Sequence, residues 1–329
     1  MIIAMLKRSL TGIRATGNIH LGNYLGAIKP ALSRQNDFQC LYFIADLHSL
    51  TTNKEPQVLR EKSLDLAATW IAAGLNLEKH LLYRQSDVPM VCELAWYLSS
   101  VTGMGFLEKA HAYKDAAANA KDVNHAIFAY PVLMAADILM YDVDIVPVGK
   151  DQKQHVEMAR DIAGSFNAIY GEGIIKLPTP VIDEQVMTIP GLDGRKMSKS
   201  YNNEIPVFCE EAQLKKLIMS IKTDSTPLEE PKELSGSLIG ELLKNFSSGN
   251  HFEDFSAKMK KGSLGWGHAK QELFEAINVS IKDQRDEFFK IRKDEKYLNE
   301  VLTKGAARAY DLAKPVLSRV REAVGLKPI

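Results

Sequence analysis

The segment Pro190-Gly191-Leu192-Asp193-Gly194-Arg195-Lys196-Met197-Ser198-Lys199-Ser200 gathers three cations and two hydroxyls in one short stretch. Pro190 and the glycines at 191 and 194 turn the backbone, so the stretch reads as a flexible loop carrying movable ammonium groups. Such a loop suits polyphosphate, above all the charge that grows on a leaving phosphate. A lone basic segment is more commonly a solvated surface loop, so its meaning rests on what other segments supply. One is His20-Leu21-Gly22-Asn23, a glycine-punctuated helix start. Its amide N–H groups and helix dipole favour an anion, and Gly22 lets the backbone come close to it. His20 and Asn23 can face one side and donate to phosphate oxygens; the competing reading is a cap. Gly149-Lys150-Asp151-Gln152 is a second glycine before a helix start, where an Asp151 cap and a nucleotide contact can coexist. Asp137 interrupts the apolar run Met134-Ala135-Ala136-Asp137-Ile138-Leu139. A carboxylate there needs a donor, either a structural partner such as an Arg or backbone N–H, or a bound ligand.

The elements that would position these groups alternate between strand and helix. Ser9–Ile13 reads as a short buried strand and leads into the turn that holds His20. A helix from near Gly22 carries Tyr24, Leu25, Ile28 and Leu32 on one face. Gln39 to Ala45 is a continuous apolar run, as a strand covered on both faces should be. Leu64, Ala67, Ala68, Ile71 and Leu75 recur at helical spacing, and His80–Tyr83 follows as a third strand. The stretch from Pro89 to Asp142 reads as mostly helical, with a buried helix whose first turn holds Pro131. Asp144 to Gly149 is another strand, a helix runs from Asp151 to about Tyr170, and a strand near Gln185 to Ile189 feeds the lysine loop. Everything after Glu204 reads as helical. The alternation implies a parallel sheet with right-handed crossovers, whose ligand lies beyond the carboxyl ends of the strands.

At 329 residues the chain is expected to form two domains, the larger of α/β type. Forty-one basic residues balance 41 acidic ones, so the total charge predicts no nucleic-acid partner and any RNA contact must be local. Cys40, Cys92 and Cys209 are odd in number and far apart, with no metal-ligand spacing and no disulfide framework, which suits a reducing cytosol. The run Met1–Leu10 is too short for a signal segment, and no apolar stretch reaches about 18 residues; a cytoplasmic protein without a membrane span is expected. Trp70, Trp96 and Trp266 are expected to be packing residues, and the mixed charges near the C-terminus read as a solvated helix face.

Together, His20-Leu21-Gly22-Asn23 and Lys196-Met197-Ser198-Lys199-Ser200 resemble the two signature motifs of class I aminoacyl-tRNA synthetases. Asp46-Leu47-His48, the run Tyr130-Pro131 to Asp137-Ile138-Leu139, and Val146-Pro147-Val148-Gly149-Lys150-Asp151-Gln152-Lys153-Gln154-His155 resemble the bacterial tryptophanyl members of that class. The likeness spans nearly the whole chain and weakens after about Ser225. It implies a Rossmann-type parallel-sheet catalytic domain, residues 1–203, with a helical dimerisation insert at about 85–142. A C-terminal α-helical domain, residues 204–329, would read the anticodon, its last helix packing back on the catalytic domain. The implied partners are L-tryptophan, tRNA(Trp) and a second copy of the chain, with no DNA and no membrane. The implied cofactors are ATP and the Mg2+ that travels with it, with no protein metal cage. By motif match His20, Asn23, Lys196 and Lys199 would be catalytic. Arg14, Ala15, Thr16, Gly22, Asn23, Gly149, Lys150, Asp151, Val186 and Lys196, Met197, Ser198, Lys199 and Ser200 would hold ATP. Asp137 would accept the indole N–H, Tyr130 and Gln152 would hold the α-amino group, and Met134 and His48 would lie beside the amino acid. Lys114 is a further candidate phosphate contact.

The chain departs from the family pattern at Leu10, where an aromatic is common, at Arg14-Ala15, where Gln-Pro is common, and at Lys150, usually acidic. The approach to the lysine loop is also short, and His20 stands where Thr is common, which restores the general class I motif. The nearest rival substrate is tyrosine. A phenol both donates and accepts, whereas an indole N–H only donates, so a lone carboxylate at Asp137 suits indole. Two other classes are a small-molecule nucleotidylyltransferase, against which the long helical C-terminal part argues, and a non-catalytic RNA-binding paralogue, against which Lys196 and Lys199 argue.

Overall fold

The structure, a computed structural model, describes residues 6–110, 113–114, 124–149, 153–182, 189–198, 201–247 and 249–329. Its centre is a parallel sheet of β1 (Arg8–Ile13), β2 (Gln39–Ile44), β3 (Leu81–Arg84), β4 (Ile145–Val148) and β5 (Thr179–Ile182). The order is β3-β2-β1-β4-β5, and every pairing is parallel. The chain therefore reverses its direction of travel across the sheet between β1 and β4, and a crevice opens there.

Burial on both faces explains why β2 is apolar without alternation. Leu41 and Phe43 pack on one side and Cys40, Tyr42 and Ile44 on the other. Beneath the second face lies α4 (Pro56–Ala72), whose Trp70 is fully buried 4.6 Å from the Tyr42 ring. The opposite face is covered by α5 (Met90–Ser99), α7 (His125–Leu139) and α8 (Lys153–Tyr170). Between β1 and β2 the chain forms α1 (Leu21–Asn23), a π-helical turn (Tyr24–Ile28) and α2 (Lys29–Ser33), so the helix expected from Gly22 carries a π insertion. Such insertions frequently mark functional sites. Two short helices, α3 (Asp46–Ser49) and α6 (Met104–Leu107), follow β2 and α5 respectively.

Beyond the sheet, α9 (Glu211–Met219), α10 (Leu238–Phe246), α11 (His251–Lys260), α12 (Trp266–Arg292) and α13 (Glu295–Ala323) complete the chain. The last helix crosses the edge strand β3, with Gly305 over Leu82 and Ala306, Ala309 and Ala313 buried behind it. Arg308 donates to the carbonyls of Leu77 and His80, both at 3.0 Å. An exposed sheet edge is thereby covered.

Two sequence expectations change, at Pro131 and Trp96. Pro131 sits inside α7 rather than in its first turn, because Asn124 caps the helix well upstream by accepting from the Ile127 N–H at 3.1 Å. The strand before the lysine loop is Thr179–Ile182; the expected one near Gln185 falls largely outside the described residues. Trp96 is not a packing residue: 75% of it is exposed, on the outer side of α5. Trp266, as expected, packs against the core while partly buried, and its indole donates to Asp224 at 2.7 Å.

Candidate active site

A cavity of about 810 Å³ opens at the carboxyl ends of β1, β2 and β4, in the crevice the strand order creates. Arg14 and Thr16 line it from the turn after β1, Gly149 from the end of β4, and His48 from α3. Ala15 is turned away: it is 1% exposed and its N–H donates to Ser49 Oγ at 3.0 Å. That bond fixes the turn that presents its neighbours.

His20 occupies the N-cap of α1. Its Nδ1 accepts from the Asn23 N–H at 3.2 Å, while Asn23 Oδ1 accepts from the His20 N–H at 3.3 Å. An Nδ1 that accepts leaves the imidazole neutral with its proton on Nε2, a donor for an anion. Burial pushes the His20 pKa down to about 4, so the ring stays neutral at physiological pH. Relative to the ordinary value of 6.5, the unfolded chain takes up a proton that the folded chain refuses. The contribution of His20 to stability is therefore whole above pH 6.5 and is lost as pH falls towards 4. His20→Asn, a cap that does not titrate, should flatten the decline in urea-unfolding stability across that window; an unaltered decline would contradict this.

The lysine loop reaches the same cavity because the chain after it pairs with the chain before α1. Leu21 N–H donates to Ile205 O and Val207 N–H to Ile19 O, each at 2.9 Å. Tyr24 Oη donates to Gln284 Oε1 on α12 at 3.0 Å, which anchors the helix start from behind. Lys196, Met197 and Ser198 line the cavity together with His20, Gly22 and Asn23, and a Cβ at Gly22 would lie 3.6 Å from Met197 Cβ. The described part of the loop, residues 189–198, is tied by backbone hydrogen bonds. Pro190 and Lys196 form an antiparallel bridge, Met197 N–H donates to Ile189 O at 3.0 Å, and Gly194 makes the turn at φ +84°. Lys199 and Ser200 lie outside the described residues, as do Lys150, Asp151, Gln152 and Val186. Lys114 is exposed and away from the cavity lining.

Helix α7 supplies the remaining wall. Tyr130, Met134 and Asp137 recur at helical spacing and all line the cavity. Asp137 is 4% exposed. Its carboxylate accepts from His48 Nε2 at 2.7 Å and from Gln85 Nε2 at 2.8 and 2.9 Å. Burial pushes its pKa up, and the hydrogen bonds from His48 and Gln85 work against that rise. Asp137 therefore has structural partners, side chains rather than an Arg or backbone N–H, and it also lines the cavity. Tyr130 stands between two histidines, 4.7 Å from the His48 ring and 5.9 Å from that of His155.

Gln85 escaped the sequence reading, although its place just past β3 is where polar residues of a parallel sheet gather. Asn203, which is 2% exposed behind the lysine loop, carries no comparable signal. Arg34, His155, Tyr201 and Glu204 also line the cavity and were assigned no role.

Residues 7–281 match the family described as tRNA synthetases class I (W and Y). The tryptophan–tRNA ligase of Fusobacterium nucleatum is 44% identical over 98% of this chain and 98% of its own length. That of Xylella fastidiosa strain 9a5c is 46% identical over 99% of this chain and 77% of its own. Among solved structures, tryptophanyl-tRNA synthetase from Campylobacter jejuni complexed with ADP and tryptophan superimposes with a TM-score of 0.90. It is 43% identical and covers 97% of this chain and all of that one.

Proposed function

The chain belongs to the class I tRNA synthetases of the tryptophan and tyrosine group, and from that premise we propose that it ligates L-tryptophan to tRNA(Trp). One observation carries the choice of tryptophan. A buried carboxylate, Asp137, lines the same cavity as Met134 and the Tyr130 ring, and that cavity is also lined by Lys196 and by the helix start at His20, Gly22 and Asn23. An indole N–H needs an acceptor beside apolar surface, and Asp137 next to Met134 and Tyr130 supports that reading.

In the first step a tryptophan carboxylate oxygen attacks the α-phosphorus of ATP. The new P–O bond forms as the bond to the β,γ-phosphates breaks, giving tryptophanyl-adenylate and pyrophosphate. The protein supplies no nucleophile; it aligns the reactants and neutralises charge. His20 Nε2 and the amides at the start of α1 would donate to phosphate oxygens, and Lys196 would meet charge that grows on the departing pyrophosphate. Asp137, held by His48 and Gln85, would receive the indole N–H, and Tyr130 would hold the α-amino group. In the second step the terminal ribose hydroxyl of tRNA attacks the acyl carbon and AMP leaves. Mg2+ supplies charge neutralisation on the triphosphate and would enter with it, since the lining offers cations and N–H donors rather than a carboxylate cage.

The helical part after residue 204 is our candidate for reading the anticodon, and the segment from about 85 to 142, on which Trp96 is exposed, for pairing two copies. The reading is tested by exchange of labelled pyrophosphate into ATP. We expect exchange that depends on tryptophan, with kcat/KM for tyrosine lower by about a thousandfold or more. Exchange driven by tyrosine alone would overturn the specificity, and exchange driven by neither would overturn the activity.

A further inference from the structure

The lysine loop is built around a side chain that lies outside the segment Lys196 to Ser200. Asn203 lies behind the turn, and its amide makes bonds in both senses. Nδ2 donates to Asp193 Oδ1 at 2.6 Å and to the Lys196 carbonyl at 3.2 Å, and Oδ1 accepts from the Ser198 N–H at 2.8 Å. The Asn203 carbonyl accepts from Leu192 N–H at 2.9 Å. Gly191 makes room for this plug: a Cβ there would sit 2.3 Å from Asn203 Cγ. The outer side is braced as well. Arg195 grips Asp193 through Nε at 2.7 Å and lies 4.3 Å from the Tyr201 ring centre. Asp193 is held well ionised, its pKa pulled down to about 2 by the Asn203 amide first and Arg195 next.

We propose that Asn203 is a positioning residue for the phosphate-binding loop: its amide fixes Asp193, Lys196 and Ser198 relative to one another and so aims the loop at the triphosphate. Few side chains can do this. Asp has no donor, Ala has neither donor nor acceptor, and Gln reaches a methylene too far. The inference rests on the synthetase reading, because it assigns Asn203 to the step in which the triphosphate is present. Transfer of the acyl group to tRNA no longer involves that charge. Asn203 therefore acts on one half-reaction.

The test is single-turnover kinetics on the full chain. We expect Asn203→Ala to slow adenylate formation by about tenfold to a hundredfold, the scale of a small misplacement of a catalytic group. KM for tryptophan and transfer from preformed tryptophanyl-adenylate to tRNA should stay within about twofold, a split that general loosening of the fold would not give. Gly191→Ala, which drives a methyl into the amide, should give the same split. Asn203→Asp sets one carboxylate against another; adding Asp193→Asn restores a donor and should recover part of the lost rate. That near-isosteric pair carries the test should Asn203→Ala fail to fold. Adenylate formation at the unaltered rate in Asn203→Ala, or equal losses in both half-reactions and in tryptophan affinity, would overturn the proposal. Loss of tryptophan-dependent exchange in the unaltered enzyme would instead overturn the parent reading, and this inference with it.

Discussion

Asp137→Ala should lower kcat/KM for tryptophan by roughly a hundredfold to a thousandfold while KM for ATP changes by less than about threefold. The change removes the acceptor that would face the indole N–H. It also strips the partners of two buried donors, His48 Nε2 at 2.7 Å and Gln85 Nε2 at 2.8 Å. Each donor left unpaired costs about 1–3 kcal/mol, offset in part because a buried carboxylate no longer has to be desolvated. Stability should fall by a few kcal/mol without loss of the fold. Asp137→Asn keeps the volume but turns a donor towards the substrate, so it should lose nearly as much activity and less stability. Steady-state exchange beside thermal unfolding checks both. A variant that folds and uses tryptophan normally would show Asp137 to be a structural residue alone, as would one that simply unfolds.

Gly305→Ala should destabilise the protein clearly. A Cβ at that position would lie 1.8 Å from the Leu82 carbonyl oxygen, deep inside contact distance with a backbone atom that cannot rotate aside. Helix α13 must lift from β3, which weakens the Arg308 bonds to Leu77 and His80 and opens the Ala306–Ala309–Ala313 seam. Overpacking of this kind costs about 1–3 kcal/mol and more where backbone must move, so Tm should drop by roughly 2–5 °C. Differential scanning calorimetry measures it; Tm within about 1 °C of the unaltered protein would contradict the packing described.

Much of this architecture was legible because its residues have one dominant reason to be where they are. The unbroken apolar run Cys40–Ile44 reports a strand buried on both faces, and the alternation around it gives a parallel sheet. His20 and Asn23 were legible as a helix start because a cap and an anion site use the same groups. Asp137 announced itself as a charge in an apolar helix, yet not its partners: His48 and Gln85 come from the ends of other strands, and long-range pairing leaves no local pattern. Proline statistics placed Pro131 in a first turn, but the Asn124 cap starts the helix earlier and leaves Pro131 inside it. The glycines of the lysine loop suggested looseness. The structure adds what they do locally: Gly194 takes a positive φ and Gly191 yields space to Asn203.

The convergence of the two phosphate-binding segments and the Asp137 slot on one cavity is tested most directly by a crystal structure with tryptophan and a non-hydrolysable ATP analogue bound together. The account predicts the indole nitrogen within hydrogen-bond distance of Asp137 and the triphosphate between the start of α1 and Lys196. Tryptophan seated away from Asp137, or a triphosphate that contacts only one of the two segments, would contradict it.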